Sequence, residues 1–134
     1  MGLEITESER EGIVILALKG RLTMGESNAF REKVNEIATR GRINIIFDLA
    51  NCDFIDSTGL GGMVICYTTL KKAGGALKLL NLNKRNIELL LLTKLSTIFE
   101  IFGDEQDAVN SYFPDRDIRH FDILSFVQAH KKEE

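Results

Sequence analysis

The densest chemistry in the sequence lies in Asp53-Phe54-Ile55-Asp56-Ser57-Thr58-Gly59-Leu60-Gly61-Gly62. Two hydroxyls stand side by side, with an acid just before them and glycines just after. The stretch follows a strand-like run and opens a segment of helical periodicity. The first turn of a helix offers free backbone N–H groups and a positive dipole end, so this join favours an anion. That anion is either a bound phosphate or a phosphate carried by the protein itself.

The bound-ligand and catalytic readings each lack a part. A nucleophilic Ser57 needs a positioned base, usually histidine. The only histidines, His120 and His130, lie near the end of the chain, and there is no G-x-S-x-G elbow. A Walker loop needs G-x-x-x-x-G-K-[ST]. Gly20 to Gly25 has the glycine spacing but continues with Glu26-Ser27. The glycines at 59, 61 and 62 come after the helix start and do not make a dinucleotide fingerprint. Asp48, Asp53 and Asp56 invite a Mg²⁺ site, yet Asp53 and Asp56 flank the apolar pair Phe54-Ile55 and need not converge. Cys52 and Cys66 form no C-x-x-C pair, which leaves zinc without its ligands and the cysteines as two free thiols. No catalytic residue, metal or cofactor is expected.

What remains is Ser57 as the group modified, or Ser57 and Thr58 as simple helix caps. A phosphate here would add about −1.5 to −2 charge, which the helix dipole tolerates. The expected result is a change of surface chemistry rather than of fold. The glycines either keep the first helical turn low for a partner's backbone or let the helix sit tightly on a sheet.

These residues need a scaffold, and the chain has the means for one. Its 134 residues predict one domain with a real core. With 44% hydrophobic and 28% charged residues it reads as soluble and globular. A net charge of −3 gives no basic field for nucleic acid or anionic lipid. No apolar run approaches the ~20 residues of a membrane span. Met1 to Thr6 lacks the regions of a secretory signal, so the expected location is cytoplasmic. Those residues match the loose myristoylation pattern, against which an apparent strand through Glu4 argues.

Leu3 to Glu7 reads as an edge strand, and Ile13 to Leu18 as a buried strand paired with it in a hairpin. Gly20 to Gly25 ends that strand. Glu26 to Thr39 has helical spacing, with Phe30, Val34, Ile37 and Ala38 on one face. Ile43 to Leu49 is the next strand. A helix then begins near Gly59, with Leu60, Val64 and Tyr67 inward and Met63 and Leu70 at its flank. Ala76 to Leu80, Lys84 to Lys94, Ile98 to Phe102 and Glu105 to Phe113 continue as strand, helix, strand and helix. The fold class is α/β, with a mixed, mostly parallel sheet and about four helices. The tail from Asp115 to Glu134 is too apolar for disorder and predicts an amphipathic helix from about Arg119 to His130. It either caps the core or serves a homodimer or partner contact.

Asp56-Ser57-Thr58-Gly59-Leu60-Gly61, after a strand ending Phe47-Asp48-Leu49, resembles the pattern of the STAS domain, the family of bacterial anti-sigma factor antagonists. The resemblance runs through Lys71-Lys72-Ala73-Gly74-Gly75, Leu77-Lys78-Leu79 and Thr93-Lys94-Leu95, and covers about residues 3–113, leaving 114–134 as an extension. It implies the STAS fold and a non-enzymatic switch in transcription regulation. The dephosphorylated form would bind an anti-sigma factor serine kinase and free a sigma factor. Phosphorylation of Ser57, less so Thr58, would switch it off, and a phosphatase would reset it. Asp56, Ser57, Thr58, Gly59, Leu60, Gly61 and Gly62, with Arg21 and Thr23, are then the expected partner surface. Where many antagonists carry acidic G-E-L-D, this chain has Gly20-Arg21-Leu22-Thr23, which reverses a charge near that surface. STAS domains also serve as scaffold modules in stressosome-like or transporter complexes, the alternative the family leaves open.

Overall fold

The computed structural model describes residues 2–133, with residues 26, 27 and 130–133 described by their backbone alone. Met1, where the myristoylation pattern begins, and Glu134, the last residue of the charged end, lie outside the described residues.

Strand β1 (Leu3–Arg10) and strand β2 (Ile13–Leu22) form an antiparallel hairpin. The turn is the two residues Glu11 and Gly12, at φ 52° and 84°. Two positive φ values match the twist of the flanking strands, the geometry of a type I′ turn. β2 is longer than its apolar run predicts, because it continues through Lys19-Gly20-Arg21 to a fully buried Leu22. That extra length gives its second edge room for two parallel neighbours. Strand β3 (Asn44–Asp48) pairs along Val14 to Ala17, and strand β4 (Cys52–Ile55) along Gly20 to Leu22. Strand β5 (Ala76–Leu80) lies parallel to β3, and the two-residue strand β6 (Ile101–Phe102) parallel to β5. The result is a six-stranded mixed sheet in the order β1-β2-β3-β5-β6, with β4 beside β2.

Alternation along these strands divides the core. Val14, Leu16 and Leu18 of β2, Ile45 and Phe47 of β3, and Leu77 and Leu79 of β5 point to one face. Helices α1 (Ser27–Thr39), α2 (Ser57–Lys72) and α3 (Lys84–Leu92) contribute to the core on that face, through Phe30, Val34 and Ile37, then Met63, Cys66 and Leu70, then Leu90. Ile13, Ile15, Ile46, Leu80 and Phe102 point the other way and meet Ala108 and Val109 of the short helix α4 (Glu105–Asn110). The buried stripe of α2 runs through Leu60, Met63, Cys66 and Leu70. Val64 and Tyr67 sit at its margin, so the inward face is rotated from the one the sequence predicts.

The expected strand from Ile98 shrinks to Ile101–Phe102, because residues 95–97 wind into a 3₁₀ turn first. The tail helix, α5 (Ile123–Glu133), starts later than Arg119. The preceding residues are engaged at the sheet edge instead. Phe121 N–H donates to the Ile101 carbonyl at 2.8 Å. His120 stacks on Phe102 at 4.8 Å between centroids, and its Nε2 lies 2.9 Å from Glu100 Oε1. Glu100 also pairs at 2.9 Å with Lys78, a buried lysine whose ammonium bonds Ser111 and lies over the Tyr112 ring. Burial pushes the Glu100 carboxyl up, and the bonds from His120 and Lys78 outweigh it, so the net is below its ordinary value. The start of the tail thus caps the core, while Leu124 of α5 stays 68% exposed.

Candidate functional site

The site stands where β2 and β4 end and α2 begins. Asp56 N–H donates to the Leu22 carbonyl at 3.1 Å, which fixes the turn to the end of β2. Asp56 has extended backbone, φ −94° and ψ −179°, and is the N-cap of α2. Its carboxylate accepts from Gly59 N–H at 2.7 Å and from Met24 N–H at 3.2 Å. One acid therefore satisfies an orphan donor of the helix and ties down the loop after β2. The cap is Asp56, and neither Ser57 nor Thr58, because all three are good caps and only Asp56 has the extended backbone required.

Ser57 becomes the first residue of α2. Its side chain and that of Thr58 are exposed, and among the described residues neither hydroxyl makes a hydrogen bond. Among the described residues no base activates Ser57: the Asp56 carboxylate faces two backbone donors, and His120 is bound to Glu100 at the β6 edge. The hydroxyl is open to solvent.

The glycines divide between the two roles the sequence left open. A Cβ on Gly59 would lie 2.1 Å from the Leu22 carbonyl oxygen, so the first turn of α2 sits directly on the end of β2. A Cβ on Gly61 would meet nothing within 4 Å. Gly59, Leu60 and Gly62 are buried, and Gly61 is exposed with Ser57, Thr58 and Ile65 on the outer face. Arg21 is exposed near the end of β2, and Thr23 is half-buried just beyond it.

Three residues of this corner escaped the sequence reading. Met24 is 72% exposed beside the Asp56 carboxylate. Phe54 carries two guanidiniums over its ring, with Arg21 4.6 Å and Arg85 3.9 Å from its centroid. Arg85 belongs to the first turn of α3, which closes the outer edge of β4. Asn83 donates to the Asp53 carbonyl at 3.2 Å, buried Asn86 to the Cys52 carbonyl at 3.0 Å, and Arg85 to the Ile55 carbonyl at 3.2 Å. Side chains thereby take the place of a further strand. The available signal was Asn83-Lys84-Arg85-Asn86, polar residues opening a Leu-rich helix.

Two of the three acids considered for Mg²⁺ have other duties. Asp48 Oδ1 accepts from Ala50 N–H at 3.1 Å and from Asn81 at 3.3 Å, and Asp56 caps α2. Among the described residues no group of three His, Cys, Asp or Glu side chains is placed to hold a metal. Cys52 and Cys66 are buried and unbridged, and burial pushes the Cys66 thiol up to about 12. Among the described residues no helix is long and apolar enough to cross a membrane.

A family model described as STAS domain matches residues 4–108. The chain is 30% identical to the anti-sigma-B factor antagonist of Bacillus subtilis (strain 168), over 81% of this chain and 99% of that protein. It is 29% identical to the anti-sigma F factor antagonist of Paenibacillus polymyxa, over 81% of this chain and 94% of that one. The crystal structure of a Thermotoga maritima protein assigned as an anti-sigma factor antagonist superposes with a TM-score of 0.76 at 25% identity. That match covers 80% of this chain and 92% of the other.

Proposed function

The chain belongs to the STAS domain family, and from that premise we propose that it acts as an anti-sigma factor antagonist switched by phosphorylation of Ser57. The unmodified form binds an anti-sigma factor serine kinase and releases a sigma factor. The kinase modifies Ser57, and a phosphatase restores it. The protein is a cytoplasmic regulator and not an enzyme, with residues 3–113 as the switch domain and 114–134 as an extension.

The observation that carries this reading is the division of labour between Asp56 and Ser57. Asp56 caps α2 through Gly59 N–H, while Ser57 has an exposed hydroxyl with no partner among the described residues. Phosphate on Ser57 therefore leaves the cap in place. It adds about two negative charges at a helix N-terminus, where they are tolerated or slightly stabilising. The fold stays and the surface changes sign. A partner seated on Ser57, Thr58 and Gly61 then meets a hydrated dianion that it must desolvate or pair. The antagonist relatives, matched over nearly their whole length, support the same reading.

The test is incubation with a candidate anti-sigma factor kinase and ATP, followed by site mapping by mass spectrometry. Modification at Ser57 is expected, and a site away from 57–58 overturns the reading. Ser57→Ala should bind the kinase and stay bound in the presence of ATP. Ser57→Asp should bind more weakly.

A further inference from the structure

Phe54 and its two arginines are not needed for the phosphorylation chemistry, yet they adjoin it. We propose that Arg21, Phe54 and Arg85 form a cationic clamp for a carboxylate-bearing segment of the protein partner, and that phosphate on Ser57 switches binding off by opposing the clamp's charge. The proposal rests on the partner-switch reading and gives that partner a chemistry.

The clamp is built rather than accidental. Both guanidiniums approach one ring, at 4.6 and 3.9 Å from its centroid. Stacking on an aromatic face holds the planar fork in place while its N–H edges stay free to donate. Arg85 commits a single nitrogen, Nη1, to the Ile55 carbonyl and to Asn86 Oδ1. Its other donors remain available. The Arg21 side chain makes no hydrogen bond or ion pair among the described residues, and Arg85 no ion pair. Four other arginines do have carboxylates: Arg10 has Glu105, Arg40 has Glu7, Arg42 has Glu9 and Arg116 has Glu11. Two forks without counter-ions, fixed on one ring, match the bidentate geometry of Asp or Glu side chains.

The surroundings favour a protein face over nucleic acid or lipid. The chain's net charge of −3 gives no extended basic field for either of those. Met24, 72% exposed, and Ile65, 45% exposed, flank the corner with apolar surface that suits a protein face.

The coupling follows from distance. Arg85 bonds the Ile55 carbonyl, and Ile55 and Ser57 are two residues apart, at most about 7 Å along the chain. Adding the 3.2 Å bond and the reach of the side chain, a phosphate on Ser57 thus lies at most about 15 Å from this guanidinium, under two Debye lengths of roughly 8 Å at physiological salt. Its charge of about −2 opposes the positive potential of the clamp. The acidic partner loses its attraction, and the fold need not move.

Two arms test this. In the first, the isotope-labelled full chain is titrated with hexaglutamate and with hexalysine and followed by NMR. Hexaglutamate should shift the Nε–H signals of Arg21 and Arg85 and the ring signals of Phe54; hexalysine should not. Arg21→Gln/Arg85→Gln and Ser57-phosphorylated protein should both lose the response. Shifts spread evenly over surface lysines and arginines, or none at these residues, overturn the clamp. The second arm measures binding to the anti-sigma factor kinase. The double variant should bind about tenfold more weakly, mostly through a slower association, with a shallower salt dependence. Equal affinity and salt slope overturn the clamp and leave the phospho-switch standing. No binding by the wild-type chain counts against the partner-switch reading, and hexaglutamate then decides the clamp alone. Matching melting temperatures of variant and wild type show that the fold is intact.

Discussion

Around the start of β2, arginines close on carboxylates: Arg10 on Glu105, Arg40 on Glu7, Arg42 on Glu9 and Arg116 on Glu11. Around its end, Arg21 and Arg85 share the Phe54 ring and, among the described residues, meet no carboxylate. The first set links β1 and its turn to the loop after α1, to α4 and to the segment after it. Such exposed pairs are worth at most about 1 kcal/mol each, and they present little net charge to the outside. In the second set Arg85 ties α3 to β4 through one nitrogen, and both arginines keep their field. A hydroxyl in that field is well placed to change it, and Ser57 is the exposed hydroxyl that begins α2. The difference separates charges that close on the structure from charges that, under the clamp proposal, address a partner.

The largest expected effect tests whether the open end is open only on its outer side. Gly59→Ala places a methyl group 2.1 Å from the Leu22 carbonyl oxygen, and the end of β2 must yield. A cost of about 3 kcal/mol is expected, with a Tm fall on the order of 10 °C. Gly61→Ala, two residues on and facing empty space, should be neutral or stabilising by up to about 1 kcal/mol. Urea and thermal unfolding compare the two. Equal stabilities would mean that α2 does not rest on β2 as described.

This corner also marks how far the sequence could be read. Strands β2, β3 and β5 are legible because they are continuous apolar runs buried between layers, and α1 because Phe30, Val34 and Ile37 share its inner face. Strand β4 is not, since Cys52–Ile55 holds four residues, one of them the exposed Asp53, close behind β3. The late start of α5 has a similar cause: the Phe121 and His120 rings serve the sheet edge, and periodicity cannot tell that from a helix face. At the site, the Asp-Ser-Thr-Gly order locates the hydroxyls but not the cap, because three consecutive residues are all suitable. The Arg21–Phe54–Arg85 stack was out of reach. Its members lie on β2, β4 and α3, and only the parallel pairing of β4 with β2 and the docking of α3 on β4 bring them together.

The next effect in size tests the cap. Asp56→Ala removes acceptors for Gly59 N–H and Met24 N–H, and about 1–2 kcal/mol of stability should go with them. Asp56→Asn should recover most of it. Ser57→Ala should change stability by less than about 0.5 kcal/mol, as expected for an exposed side chain without a bond. If Ser57→Ala proved the costlier of the two, the hydroxyl would be structural and the phospho-switch would lose its geometric support.

Acid should separate the ends further. Arg40 and Lys33 hold the Glu7 carboxyl below its ordinary 4.5, and Arg116 and Gln106 do the same for Glu11. Glu100 is also lowered. A carboxyl that is more acidic in the fold adds stability that is complete above the unfolded value. That stability is lost as pH falls through the folded value. The loss should therefore begin below about pH 4.5. Urea midpoints at pH 7, 4 and 3 measure it, and Arg40→Gln should shrink the fall. Arg21→Gln should leave it unchanged, because no lowered carboxyl faces that arginine among the described residues.

The smallest effects on stability make the sharpest comparison. Arg40→Gln breaks an exposed pair with Glu7, which Lys33 still neutralises at 3.1 Å, and about 0.5 kcal/mol is expected. Arg21→Gln removes one exposed cation–π contact with Phe54, again about 0.5 kcal/mol. Unfolding alone would rank the two arginines as equals. Partner affinity should not, because a closed pair offers little charge for a partner to meet, whereas an unpaired guanidinium retains both its charge and its donors. Arg40→Gln should leave affinity for the kinase and its salt dependence unchanged. Arg21→Gln should weaken binding several-fold and flatten that dependence. Equal loss from both would show that the partner reads overall charge, and the distinction between the two ends of β2 would fall. Loss from Arg21 alone would show that stability and recognition are assigned to different arginines of one sheet.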